Sequence, residues 1–144
     1  MTTDNRPWYS DHFLRGFLVA ALWSSNDEST ESGGEPIDAN YGLCDIHPAS
    51  LVKAEAWCNQ FQKDNATYLQ WAMDRYDVNP SQGDSADYAG HDFWLTAAGH
   101  GAGFWDRGFG VRGEALSKAS KKYEFIDCVI GDDGKVHFEG GPKC

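Results

Sequence analysis

Four groups able to move a proton or hold a metal ion crowd into sixteen residues: His91, Asp92, His100 and Asp106. Phe93, Trp94, Phe104 and Trp105 are interleaved with them, so a cleft shared by the four would have apolar walls. Imidazole beside carboxylate is a pairing that general acid–base catalysis uses, because burial and neighbouring charge shift their pKa values. The same groups suit zinc or a redox metal. Arg107 follows directly and is expected to pair with a nearby acid. Nothing in the run completes a catalytic signature. His91, Asp92, His100 and Asp106 are therefore catalytic candidates without a reaction, and the chain leans away from being an enzyme.

Other motifs fail for want of a partner. Gly99-His100-Gly101-Ala102-Gly103 is similar to the His-Gly oxyanion segment of lipases and esterases, but the chain has no G-x-S-x-G nucleophile elbow. Gly108-Phe109-Gly110-Val111-Arg112-Gly113 fits G-x-G-x-x-G, with Asp132 and Asp133 about twenty residues on. Roughly thirty residues remain after Gly113, too few for the parallel βαβ units of a dinucleotide site. Cys44-x-x-His47 could be joined by Cys128, His137 or Cys144, yet the paired short spacings of a zinc site are missing. No cofactor and no metal are expected.

The candidates must be positioned by a small set of elements. Ser10 or Asp11 can cap a helix with Phe13, Leu14, Phe17, Leu18, Ala21 and Leu22 on one face. Gly16 should weaken it by roughly 1 kcal/mol relative to alanine. Pro48 suits the first turn of a second helix over 49–76, with Leu51, Ala54, Cys58, Phe61, Tyr68, Ala72 and Tyr76 on one face and a break available at Asp64-Asn65. Residues 79–84 form a turn-rich linker. The glycine run is expected to join strands 91–96 and 102–105 into a hairpin, with Phe93, Trp94 and Leu95 covered on both faces. A helix over 113–123 turns Ala115, Leu116, Ala119 and Tyr123 inward and Lys118, Lys121 and Lys122 outward. Strands 125–130 and 135–139 flank the Asp132-Asp133-Gly134 turn of a second hairpin. The fold class is α+β, with N-terminal helices packed on a small antiparallel sheet made of two β-hairpins. One domain spans 1–144, with a loose lead-in at 1–9 and an acidic surface loop at 26–40.

Composition narrows the function. A chain of 144 residues with 14% aromatics and six tryptophans can bury about two-thirds of its unfolded surface. Mean hydropathy is -0.56, and no apolar run approaches the 18 or so residues of a membrane span. Residues 13–23 are interrupted by Arg15 and Gly16 and are not followed by a small-residue cleavage site, so no signal peptide is expected and the cytosol is the default. Four cysteines without C-x-x-C spacing are expected to be thiols there. The net charge of -10 is uneven: no Lys or Arg lies between Arg15 and Lys53, or between Arg75 and Arg107. Direct nucleic-acid binding is disfavoured, and a partner with a basic surface is attracted. Asp27, Glu28, Glu31, Glu35 and Asp38 are the expected partner-binding residues. Carboxylates over 31–45 can imitate phosphate spacing and occupy the DNA- or RNA-binding groove of another protein, with an attraction that salt weakens.

One resemblance adds provenance. Gly90-His91-Asp92-Phe93-Trp94-Leu95-Thr96, continued by Gly99-His100-Gly101-Ala102-Gly103-Phe104-Trp105-Asp106-Arg107, resembles a string in small uncharacterised accessory proteins of tailed bacteriophages. The Gly131-Asp132-Asp133-Gly134-Lys135 hairpin is similar to their C-terminal ends. The likeness covers the last third to half of the chain. It implies a phage accessory protein acting inside a bacterium, and it brings no site residues with it. Combined with the acidic charge and the missing catalytic signature, that provenance leads to the expectation of a protein in the host cytoplasm that binds and modulates or inhibits a host macromolecule, such as nucleic-acid-handling or defence machinery. A small metal-assisted or acid–base enzyme centred on 91–106 is the alternative.

Overall fold

A computed structural model describes residues 8, 10–27, 34–99, 103–124 and 126–139, with the backbone alone at 105 and 106. Asp11 starts the first helix: its carboxylate accepts the Leu14 N–H at 3.0 Å, leading into α1, His12–Ser24. Pro48 opens α2, Pro48–Asp64, and the His47 ring nitrogen Nδ1 accepts the Ala49 N–H at 3.1 Å. The break anticipated at Asp64-Asn65 is present. Asn65 donates both its backbone N–H and its side-chain amide to the Phe61 carbonyl, at 3.1 and 2.9 Å, which ends α2 before α3, Ala66–Met73. The break shifts the helical phase, so Leu69 and Ala72 face inward and Tyr68, expected on the buried face, is exposed.

The expected first hairpin is absent. Its first arm lies within a helix, α4, Ser85–Ala97, and Phe104–Arg107 is a 3-10 turn where the second arm was expected. Residues 100–102 lie outside the described residues. The reason is a start signal upstream. Asp84 accepts the Ala86 and Asp87 N–H groups, and Asp87 accepts the Asp84 N–H, a reciprocal box that nucleates a helix. A continuous apolar run such as Phe93-Trp94-Leu95 reads alike in a strand covered on both faces and in a central helix. Here α1, α3 and α5 (Val111–Lys121) all pack on α4.

Gly16 is not a weak point of α1 but the place where α4 crosses it. A β-carbon on Gly16 would lie 2.7 Å from the carbonyl carbon and 2.9 Å from the Cα of Asp87. One on Gly90 would lie 2.9 Å from the Phe13 carbonyl carbon and the Phe17 nitrogen. The two helices therefore meet backbone to backbone, each through a glycine. That approach brings Phe13 and Phe17 onto Phe93, with ring centroids 6.0 and 5.4 Å apart, while Phe61 stacks on Phe93 at 4.1 Å and 14°. The buried apolar side chains form one cluster around these rings.

The second expected hairpin is present: β3, Asp127–Ile130, pairs antiparallel with β4, Val136–Glu139. Within the expected surface loop a short antiparallel pair is formed by β1, Asn26–Asp27, and β2, Glu35–Pro36. Those two-residue strands anchor that segment, and a 3-10 turn at Ile37–Ala39 buries Ile37. β4 is fixed to the N-terminal end of α2, since the Phe138 N–H donates to the buried Ser50 hydroxyl at 3.0 Å. The described chain is mostly helical with small antiparallel β elements, so the α+β class holds while the two-hairpin sheet does not. Among the described residues no helix is long and apolar enough to cross a membrane.

Candidate functional site

Buried carboxylates on α4 organise the site. Asp87 is clamped by Arg15 of α1, Nε to Oδ1 at 2.7 Å and Nη2 to Oδ2 at 2.6 Å. Five residues on, Asp92 has no exposed surface and receives a second fork from Arg107, Nε at 2.9 Å and Nη2 at 2.8 Å, with the Tyr76 hydroxyl donating at 2.7 Å. The Arg107 guanidinium also stands 5.2 Å from the Tyr76 ring centre and 5.9 Å from that of Tyr88. These forks staple α1 and the 3-10 turn to α4.

The electrostatics set what these groups can do. Burial pushes the Asp92 carboxyl up, but the hydrogen bonds from His91 and Arg107, the Arg107 charge and the Tyr76 hydroxyl outweigh it and hold the group below its ordinary value. Burial, reinforced by the Asp92 charge and their hydrogen bond, drives the Tyr76 hydroxyl far upward. At neutral pH Asp92 is a fixed anion and Tyr76 a fixed donor. Neither is poised to exchange protons, which is what a general base near its working pH needs.

His12, Asp84 and Asp87 place one ligand atom each within 4.8 Å of one another, the one such trio among the described residues. All four carboxylate oxygens are already engaged. Asp84 Oδ1 takes two helix-start N–H groups and Oδ2 takes His12 at 2.6 Å, while Asp87 takes Arg15 twice and the Asp84 N–H. With a guanidinium against the trio, a cation would meet repulsion rather than open ligands. The cluster is a helix cap.

Of the four sequence candidates, the structure brings His91 and Asp92 together. His91 Nδ1 lies 3.5 Å from Asp92 Oδ1, and the His91 ring is tilted at 31° over Trp23, 5.6 Å between centres. His100 and the side chain of Asp106 lie outside the described residues. His91, Trp23, Arg15, Arg107 and Tyr88 border a cleft of about 780 Å³ between α1, α4 and the turn at Pro80–Gln82. Arg15, Tyr76 and Trp23 were not candidates from sequence. Arg15 and Asp87 are 72 positions apart, and no local spacing signals such a pair. Arg107 does pair with an acid, and that acid is Asp92.

The expected partner-binding residues divide. Glu35 and Asp38 are exposed, whereas Asp27 is buried, 2% exposed, and is withdrawn from any docking surface by the β1–β2 pairing. Glu28 and Glu31 lie outside the described residues. Cys44 and His47 are not joined by Cys128 in a metal-ligating group: Cys44 is exposed, Cys128 is buried, and His47 instead stacks on His137 at 4.9 Å. Cys144 is outside the described residues.

No family model matches the chain, and no curated protein and no solved structure matches it either.

Proposed function

We propose that the protein acts by binding rather than by catalysis, as a bacteriophage accessory protein that engages a basic surface of a host macromolecule through carboxylates of 28–45. Nucleic-acid-handling or defence machinery offers such surfaces, and the host cytoplasm is where they would meet. The observation that carries the reading is the disposition of charge. Arg15 and Arg107 are turned onto Asp87 and Asp92, while Glu35, Asp38 and Asp45 stand exposed in a stretch with no Lys or Arg between Arg15 and Lys53. Such a surface steers a cationic partner toward it and does so less at high salt.

The test is capture from nuclease-treated bacterial lysate on the immobilised full chain at low and high salt, beside a variant with Glu28→Gln, Glu31→Gln, Glu35→Gln and Asp38→Asn. A partner held at low salt by the native chain and lost by the variant is expected. Capture indifferent to both salt and the four substitutions would refute the reading.

A second reading has one specific observation in its favour. A buried carboxylate behind the ring of a cleft-lining histidine, as Asp92 stands behind His91, is an arrangement that orients imidazoles for proton transfer. His91→Gln separates the two readings: it abolishes acid–base catalysis and leaves capture by the acidic segment intact.

A further inference from the structure

We propose that the cleft between α1 and α4 binds a small organic monoanion, an aromatic carboxylate whose charged end meets Arg15 and whose ring lies against Trp23 and His91. Arg15, Val19 and Trp23 follow one another at four-residue steps and so form one stripe along α1, passing from charged to apolar. Val19 and Trp23 are 44% and 43% exposed. A single exposed apolar side chain is ordinary, but these two adjoin and line a concavity.

The polar end is pre-organised. Arg15 uses Nε and one proton of Nη2 on Asp87, and Nη1 makes no hydrogen bond to the described residues. The Nη1–Nη2 edge is the second face on which a guanidinium accepts a carboxylate in a two-bond fork. Asp87 holds the guanidinium still, so little side-chain entropy is lost when a ligand joins it. Both Asp87 oxygens are engaged, Oδ2 by Arg15 and the Asp84 N–H and Oδ1 by Arg15, so that acid does not depend on a ligand donor.

Charge decides how anionic the ligand can be. Asp87 balances Arg15 and Asp92 balances Arg107, so the cleft has two guanidiniums and little net positive charge, within a chain of net charge -10. Polyphosphates are repelled by such a field, whereas a single carboxylate gains directed hydrogen bonds without needing a strong one. The Trp23–His91 pair provides the offset-stacking wall that an aromatic ring prefers. About 780 Å³ lies within the size range of sites for small organic ligands.

Indole-3-acetate is the probe, with indole-3-acetamide as its neutral counterpart and pyrophosphate as the polyanion, added to the ¹⁵N-labelled full chain and followed by NMR. The Trp23 indole N–H signal is assigned from a Trp23→Phe variant. Indole-3-acetate is expected to move that signal saturably, with indole-3-acetamide at least about tenfold weaker, the loss of one charge-assisted contact. Arg15→Lys keeps the charge, loses the fork and is expected to weaken binding by about tenfold or more. Because Arg15 also staples α1 to α4, Trp23→Ala is the second variant, at a half-exposed surface position; it removes the indole signal, so binding is read from the backbone amide signals that the probe moves in the native chain, and it should weaken comparably. Three results would each overturn the proposal: no saturable shift up to about 10 mM probe, far above any useful affinity; equal binding of acid and amide; or stronger binding of pyrophosphate. Undiminished binding by a folded Trp23→Ala chain would do the same.

Discussion

Gly90→Ala separates two opposing effects whose sizes can be worked out. In a free helix the change is favourable by about 1 kcal/mol, because alanine loses less backbone entropy than glycine. In this fold the new carbon would sit 2.9 Å from both the carbonyl carbon of Phe13 and the amide nitrogen of Phe17, and nearer still to the Phe13 oxygen. Ordinary contact begins at 3.4 Å, so the shortfall is about 0.5 Å at carbon and nitrogen and larger at oxygen. The obstacle is helix backbone on both sides, which cannot rotate away as a side chain can. Relief requires α1 and α4 to part, loosening Phe13 and Phe17 against Phe93 and Trp94 at the centre of the core. Overpacking of this kind costs about 1–3 kcal/mol, and the upper end applies because two rigid helices must move. The net expectation is a loss of about 2 kcal/mol despite the better helix former. Gly16→Ala should behave alike, and the double variant should lose less than the sum, since one displacement relieves both clashes. Urea denaturation followed by circular dichroism reads the midpoint and slope. A Gly90→Ala chain as stable as the native one would refute the close crossing.

Three further outcomes are expected. Asp92→Asn, which removes the charge facing Arg107 and sets amide hydrogens against its donors, should destabilise by about 2–3 kcal/mol, the lower range for a broken buried pair, because Arg107 keeps about one-third of its surface in water; a loss under about 0.5 kcal/mol in the same urea assay would show the fork to be dispensable. The Asp92 carboxyl is held below its ordinary value in the fold, and so is Asp84, where burial is outweighed mainly by the hydrogen bond from His12. A lowered folded pKa stabilises above the unfolded value near 3.9 and is lost as pH falls through the folded one, so melting temperature should drop below about pH 4 and drop less in Asp92→Asn; a melting temperature that rises between pH 5 and 3 contradicts this. Burial pushes the Cys128 thiol up to about 12 and raises Cys58 well above its ordinary value, while Cys44 is exposed. A Cys144→Ser chain should therefore show a single fast thiol toward a disulfide reagent, lost on Cys44→Ser, and fast reaction of all three would mean the core is not closed.

Elements with their own local signals were legible in the sequence, and contacts between distant residues were not. Asp11, Pro48 and Asn65 act within a few residues, so the start of α1, the start of α2 and the break before α3 could be read directly. The Asp132-Asp133-Gly134 turn likewise announces the β3–β4 hairpin, with Gly134 at φ +74° supplying the left-handed residue. The α4 segment was misread because Phe93, Trp94 and Leu95 are buried on every side, which removes the periodicity that distinguishes helix from strand. Its Asp84–Asp87 box was present in sequence and is the signal that would have corrected the reading. Gly16 looked like a defect because its partner, the Asp87 backbone, is 71 positions away. His91 and Asp92 were identified as chemically important, but the role of Asp92 depends on Arg107 and Tyr76 converging on it, a tertiary fact.

That convergence bears on how an acidic chain can keep a functional surface. Between Arg75 and Arg107 the sequence has five acids and no Lys or Arg, and read alone it suggests a second negative face. In the fold Asp87 and Asp92 are paired with the Arg15 and Arg107 guanidiniums and Asp84 bonds to His12, so the buried charge of this tract is met by side chains from outside it. In the stretch without Lys or Arg between Arg15 and Lys53, Glu35, Asp38 and Asp45 remain at the surface. Two acidic stretches of similar composition thus do different physical work. One fixes the helices and gives the cleft its guanidinium edge, and in the other Glu35, Asp38 and Asp45 present their charge at the surface, where a cationic partner can meet it.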